Sequence, residues 1–231
     1  MLTEALKDLD VPSDVWKPLQ SLVEIFVESG STRGVTALKT EEAIVEEFVL
    51  DSLCGVWSLP ETGRVIDIGT GGGVPGLILA IARPDLEFVL TDSASKKTTW
   101  VSELVETLEL SNVSVRTSRL ELLGRDPEFR ESFDVVTAKA LAPLNVLCEL
   151  ALPLVKVGGR LLAYKGPALA DEITQARHAL TELKGRIHRC HGFRVGAKQT
   201  TVCEIEKFAP TSDTYPRRDG VPQKKPLKGA K

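Results

Sequence analysis

Asp67-Ile68-Gly69-Thr70-Gly71-Gly72-Gly73-Val74-Pro75-Gly76 lies between two apolar runs, Arg64-Val65-Ile66 before it and Leu77-Ile78-Leu79-Ala80-Ile81 after it. A short apolar strand, a glycine-dense turn and an apolar helix in direct succession make the first strand–turn–helix unit of an open α/β sheet. Glycine lets such a turn take positive φ and bring bare backbone close to a ligand. The helix that follows offers unpaired N–H groups and a positive dipole end. Two patterns overlap in the turn. Gly71, Gly73 and Gly76 satisfy G-x-G-x-x-G, a dinucleotide fingerprint, whereas Asp67, Gly69, Gly71 and Gly73 satisfy D-x-G-x-G-x-G. A carboxylate at the strand end opposes a pyrophosphate and suits a ligand carrying an ammonium and a sulfonium. A turn that needs glycine only sterically, and binds nothing, is the bland alternative.

Downstream the alternation continues. Glu87-Phe88-Val89-Leu90-Thr91-Asp92, Val113-Ser114-Val115-Arg116, Phe133-Asp134-Val135-Val136-Thr137-Ala138 and Arg160-Leu161-Leu162-Ala163-Tyr164 read as buried strands. Between them, Trp100, Val101, Leu104, Val105 and Leu108 share one helical face, as do Leu144, Leu147, Leu150, Ala151 and Leu154, and later Ile173, Ala176, Ala179 and Leu183. Repeated strand–helix units predict a mostly parallel sheet with helices on both faces. Phe193-Arg194-Val195 and Thr201-Val202-Cys203-Glu204-Ile205 lack a helix between them and read as an antiparallel pair at the sheet edge. The second strand ends in Asp92, where a carboxylate can accept both hydroxyls of a ribose.

Upstream, Val15, Leu19, Leu22 and Phe26 form one helical stripe, and Ile44, Val45, Phe48, Val49, Leu53, Val56 and Trp57 form another. The chain therefore divides into a helical N-terminal extension at 1–60, a catalytic sheet domain at 61–208 and a C-terminal tail at 209–231, expected to be basic and extended. From Lys207 to Lys231 seven basic residues face two acidic ones, a net +5, which leaves −8 on the rest of a chain whose net charge is −3. An acidic body with a basic tail is compatible with contact to an anionic polymer, and equally with a solvated terminus. No apolar run approaches the ~20 residues that cross a bilayer, and Met1 to Asp8 carries acidic residues and no apolar core, so neither a membrane span nor a secretory signal is expected. Four scattered cysteines without a C-x-x-C pair read as free thiols of a cytoplasmic protein.

The D-x-G-x-G-x-G turn resembles the first motif of class I S-adenosylmethionine (SAM) methyltransferases, whose sheet is Rossmann-like. A narrower resemblance follows from the ordered set that begins with Val74-Pro75-Gly76. It continues with Arg83-Pro84, Asp92-Ser93 with Lys96-Lys97, Ser118-Arg119-Leu120-Glu121, Ala138-Lys139-Ala140 and Tyr164-Lys165-Gly166. Leu50-Asp51-Ser52 precedes it and Tyr215-Pro216-Arg217-Arg218-Asp219-Gly220-Val221-Pro222 closes it. Together these resemble the ribosomal RNA small subunit methyltransferase G family, also called glucose-inhibited division protein B. The resemblance implies SAM-dependent methylation of guanine N7 in 16S rRNA, with 16S rRNA or the small ribosomal subunit as partner; no metal and a monomeric chain are expected alongside it. It places Asp67 near the methionine moiety and Gly69, Gly71, Gly73 and Val74 along the cofactor loop. Asp92, Ser93 and Ala94 fall by the ribose, Leu120 and Glu121 by the adenine, and Lys139 at the cofactor or target end. Two positions depart from the family: lysine stands at 139 where arginine is common, and Phe48 where histidine is common.

Guanine N7 carries a lone pair and no proton, so its methylation needs no general base. Catalysis falls to positioning and fixed charge, for which Arg119, Lys139 and Lys165, at the ends of three strands, are the candidates. A cation pressed against N7 would oppose the charge that develops there, so Lys139 is assigned toward phosphate, cofactor carboxylate or guanine O6. His188, Cys190 and His191 cluster, but strand parity sends 188 and 191 to opposite faces, and no further metal ligand accompanies them. Trp100 reads as helix core rather than a stacking platform. The competing functions are a SAM methyltransferase of another RNA or a small molecule, and a non-catalytic RNA-binding relative.

Overall fold

A computed structural model describes residues 15–228; Met1 to Asp8 and Lys231, used above, lie outside them. Helix α1 (Trp16–Ile25) runs on through a π-helical turn at Phe26–Gly30. Helix α2 spans residues 41–53, α-helical at Glu41–Ile44 and Asp51–Leu53 and π-helical at Val45–Leu50. Thr40 starts it as N-cap, its hydroxyl accepting from the Ala43 N–H at 3.3 Å. Then follow β1 (Arg64–Ile68), α3 (Gly76–Ala82), β2 (Glu87–Asp92), α4 (Ser95–Thr107), β3 (Val113–Thr117) and α5 (Leu120–Leu123). The second half is β4 (Phe133–Lys139), α6 (Leu144–Ala151), β5 (Val155–Lys165), α7 (Leu169–Glu182), β6 (Gly185–Val195), β7 (Lys198–Lys207) and α8 (Val221–Lys224).

The sheet has seven strands in the order β3-β2-β1-β4-β5-β7-β6. β1 to β5 are parallel, and β7 runs antiparallel to both β5 and β6. The order reverses between β1 and β4, which is where open α/β sheets bind ligands, beyond the carboxyl ends of the strands. This is the Rossmann-like architecture expected, with helices on both faces. One core joins the β1, β4 and β5 residues to α6 and α7, with Phe133, Leu147 and Leu161 fully buried. A second joins α3 and α4 to the N-terminal helices through Phe26, Ile44, Leu77 and Trp100. The cap thus shares apolar surface with the sheet's own helices, and Trp100 is helix core, as expected.

Four expectations change. β5 begins at Val155, five residues early, and β6 and β7 are longer than their apolar segments suggest, because polar residues are tolerated on an edge hairpin. Its two-residue loop places Gly196 at φ +56 and lays the tip against Glu46 of α2. A register shift between Ile187 and Arg189 brings His188 and His191 to one face, beside Glu206 and Glu204 on β7. It also leaves Cys190 opposite Cys203 with sulfurs 3.1 Å apart. Trp57, assigned to the second stripe, is 66% exposed, since α2 has already ended.

The tail is the largest change. It is not extended over residues 209–228. Lys207 is fully buried, its Nζ donating to Glu131 and to the carbonyls of Leu152 and Val155. Arg130 donates to the carbonyls of Thr211 and Tyr215. Arg217 grips the buried Glu149 on α6 through two guanidinium nitrogens and its own backbone N–H. Composition counted Lys207 and Arg217 as solvated, but each meets an acceptor on the sheet domain. Arg218, Lys224, Lys225 and Lys228 remain exposed.

Candidate active site

The glycine turn is held from beneath by Asp67. Its carboxylate accepts from the Thr137 hydroxyl at 2.7 Å and from the Gly76 N–H at 3.1 Å. Burial is complete and pushes the carboxyl up from 3.8 to about 6, against the lowering effect of these hydrogen bonds. Asp67 therefore closes the start of α3 with its own charge, which leaves that helix end unsuited to a pyrophosphate. The dinucleotide reading of the turn fails on this contact. Asp67 also does not reach the cavity; it shapes the loop from inside. Gly69 (φ +67) sits under Leu141, where a Cβ would come within 2.6 Å of a methyl group. Gly71 (φ +58) opens onto free space, a Cβ there coming no nearer than 4.0 Å to the Gly69 carbonyl.

Above the loop lies a cavity of about 350 Å³. Gly69, Asp92, Ser93, Leu120 and Glu121 line it, with Arg119, Ser118, Lys97, Ala140, Leu141, Leu150 and Gln223. Asp92 is buried at the tip of β2. One oxygen accepts from the Gly71 N–H at 3.1 Å and the other from Ala94 N–H at 2.9 Å. Lys97 Nζ lies 3.5 Å from Oδ2, and a carboxylate has about four acceptor sites, so Asp92 keeps acceptor capacity for a diol. Leu120, Leu141 and Leu150 supply apolar wall for a flat ring. These donors, acceptors and walls fit the adenosine part of SAM. Gly73 and Val74 serve packing instead: a Cβ on Gly73 would strike Leu77, and Val74 joins the core shared with the cap.

A second cavity of about 420 Å³ shares Ala140 and Leu141 with the first. Asp51 from α2, Lys139 from the end of β4, Tyr164 and Lys165 from the end of β5, and Lys198 and Thr200 from β7 line it. Lys139 is not free. Its Nζ donates to Asp51 Oδ2 and to the Glu47 carbonyl, each at 2.6 Å, and lies 5.9 Å from the Phe48 ring centroid. Burial lowers the Lys139 pKa, with Asp51 opposing. Burial raises that of Asp51, but Lys139, with smaller help from Thr200 and Lys198, outweighs it and holds the carboxyl below its ordinary value. Lys165 pairs with Glu172 at 2.7 Å, and Arg119 with Asp219 at 2.6 Å. The three strand-end cations thus lie along the carboxyl edge as predicted, but each has a carboxylate partner.

The sequence profile of the rRNA small subunit methyltransferase G family matches residues 16–201. The chain belongs to this family. It is 44% identical over 195 residues to the ribosomal RNA small subunit methyltransferase G of Roseiflexus sp. (strain RS-1), covering 84% of this chain and 83% of that protein. The protein of the same name from Deinococcus radiodurans is 44% identical over 207 residues, 87% of this chain and 82% of the relative. A solved SAM-dependent methyltransferase from Aquifex aeolicus superposes with a TM-score of 0.54 at 19% identity, over 71% of this chain and 92% of that one. M. jannaschii TYW2 in complex with AdoMet gives 0.55 at 12%, over 69% and 76%. The likeness to these two structures is one of fold.

Among the residues that line the two cavities, Asp51, Glu172, Lys198, Thr200, Leu141 and Gln223 have no role assigned from sequence. Leu50-Asp51-Ser52 was the available signal, noticed as a motif without a chemical role. Gly55 and Tyr164 explain part of its setting: the Tyr164 hydroxyl donates to the Ser52 carbonyl at 2.6 Å, packed so close to Gly55 that a Cβ there would clash.

Proposed function

We propose that this chain transfers a methyl group from SAM to N7 of a guanine in 16S rRNA, acting as a cytoplasmic monomer on the small subunit or its RNA. It is a SAM-dependent rRNA methyltransferase by family. The observation that carries the finer reading is the pair of adjoining cavities at the sheet's switch point, one suited to adenosine, the other walled by charged groups and free of any His–Asp or cysteine base. Bound there, SAM would supply an electrophilic methyl group to the N7 lone pair, its sulfonium leaving as a neutral thioether and the base becoming cationic. Asp92, Ser93, Leu120 and Glu121 would hold the cofactor, and Gly69 and Gly71 would let its chain lie on the backbone. Asp67 and Ala94 set the loop's shape. Arg119, Lys139 and Lys165 act by position and charge, their carboxylate partners keeping net positive charge low where the base becomes cationic. The base must leave its stack to enter.

Undermethylated 30S subunits incubated with methyl-labelled SAM should gain label at one guanine of 16S rRNA, located by cleavage at 7-methylguanine. Label in another RNA, or none in 16S rRNA, would overturn the assignment.

A further inference from the structure

The edge hairpin carries two thiols that the reaction described above does not use. Cys190 on β6 and Cys203 on β7 are register partners, with sulfurs 3.1 Å apart. Directly opposed residues of an antiparallel pair have Cα atoms about 4.5–5.5 Å apart, inside the span that a disulfide bridges. A bond of about 2.05 Å therefore asks the two sulfurs to close by about 1 Å and asks no shift of the strands. The two thiols differ in setting. Cys190 is exposed, whereas Cys203 is buried in the core beneath it, where burial, with Cys190 alongside, pushes its pKa up. Burial also holds Cys54 and Cys148 as thiols, pushed up to about 11 and about 12. β6 is the outermost strand and pairs only with β7. Between the two cysteines, the Gly196 tip rests on Glu46 of the cap, Lys198 lies 3.2 Å from Asp51, and Lys198 and Thr200 line the second cavity.

We propose that Cys190 and Cys203 are a reversible modification site, at which a hydroperoxide joins them as a cross-strand disulfide and so locks the edge strand and the hairpin tip that meets the cap. Exposure selects Cys190 as the sulfur attacked first. Its thiolate displaces hydroxide from the peroxide: an S–O bond forms, the O–O bond breaks, and the hydroxide takes up a proton as water. The Cys203 sulfur, already in contact, then attacks the sulfenic acid. An S–S bond forms, the S–O bond breaks, and the departing hydroxide leaves as water with the Cys203 proton. Two thiols are oxidised by two electrons and one peroxide is reduced to two waters. An external dithiol reverses the bond by thiol–disulfide exchange. The covalent ring runs through residues 190–203 and encloses Lys198 and Thr200. The inference does not depend on the identity of the methylated base.

The test is a peptide map of the full chain, reduced, treated with a small excess of hydrogen peroxide, and alkylated before digestion. Trypsin cuts after Arg189, Arg194, Lys198 and Lys207. The oxidised wild type should therefore yield peptide 190–194 joined to peptide 199–207, two hydrogens lighter than the pair and split by dithiothreitol. Cys190→Ser should give no linked peptide, and Cys203→Ala should leave Cys190 as a sulfenic acid captured by dimedone. Hydrogen exchange of the β6 amides should slow at least tenfold in the oxidised wild type relative to the reduced one. A link to Cys54, to Cys148 or to a second chain would overturn the site, as would Cys190 oxidised past the sulfenic acid with Cys203 still free. Unchanged β6 exchange in a fully linked sample would overturn the lock. The wild-type map and exchange decide both points even if a variant fails to fold.

Discussion

The cofactor cavity takes its polar contacts from the chain's local order, a glycine turn after β1, the tip of β2 and the residues just past β3, while Ala140, Leu141, Leu150 and Gln223 complete its walls. The neighbouring cavity gathers Asp51, Lys139, Lys165 and Lys198 from the cap, two strand ends and the hairpin, up to 147 residues apart. Backbone geometry within single loops sets the polar contacts of the first. Ion pairs across distant elements make the second, and each depends on the whole fold having closed. A site of the first kind is robust to surface change and intolerant of a single Cβ; one of the second kind is tunable residue by residue.

The sharpest way to break that contrast is Gly71→Asp. The side chain would enter open space at a left-handed position that aspartate tolerates, so the fold should survive at a cost of about 1 kcal/mol. SAM affinity should fall more than a thousandfold by calorimetry, because a carboxylate would stand beside Asp92. Affinity retained within tenfold would place the cofactor elsewhere. Next in size is Arg217→Ala, which strands the fully buried Glu149 and should lower the unfolding free energy in urea by about 3–5 kcal/mol. A loss under about 0.5 kcal/mol would mean that the tail is only loosely attached.

Asp67→Asn probes the loop's support through pH. The fold raises the Asp67 pKa from 3.8 to about 6, so it favours the protonated form. That contribution is complete below pH 3.8 and drains away as pH rises through about 6, by up to about 3 kcal/mol. Urea titrations at pH 4 and pH 7 should show the wild type losing stability relative to Asp67→Asn at the higher pH; parallel curves would contradict this. Lys139→Met is the counterpart in the second cavity. SAM affinity should stay within about twofold while methyl transfer drops about tenfold or more, and a matched loss of both would mean that the two cavities are one site. The smallest effect is expected from Lys224, Lys225 and Lys228 changed together to glutamine. RNA affinity should then depend less steeply on salt, by up to about 3 in the log–log slope, and an unaltered slope would remove these residues from the RNA path.

What the sequence disclosed follows the same division. The strands, the turn and Asp92 were legible because period, glycine spacing and strand ends are local signals. Asp51 was not, since nothing within Leu50-Asp51-Ser52 shows that two lysines lie 88 and 147 residues away. Lys207 and Arg217 misled for the same reason: a cation near a chain end reads as solvated until its buried acceptor is known. Asp67 was assigned to the ligand because its motif is adjacent to one, whereas its two hydrogen bonds turn inward. The β6–β7 hairpin was underestimated in length because edge strands need not be apolar.

Gln223, from the docked tail, forms part of the cofactor wall. During translation this residue is joined to the chain after every strand of the sheet has already been made. A polypeptide whose position 223 is not yet free to dock has its glycine turn but an open-sided pocket, so competence to bind the donor should arrive only once that position can reach the sheet. Measuring SAM retention by stalled nascent chains that end before and after position 223 would time that event.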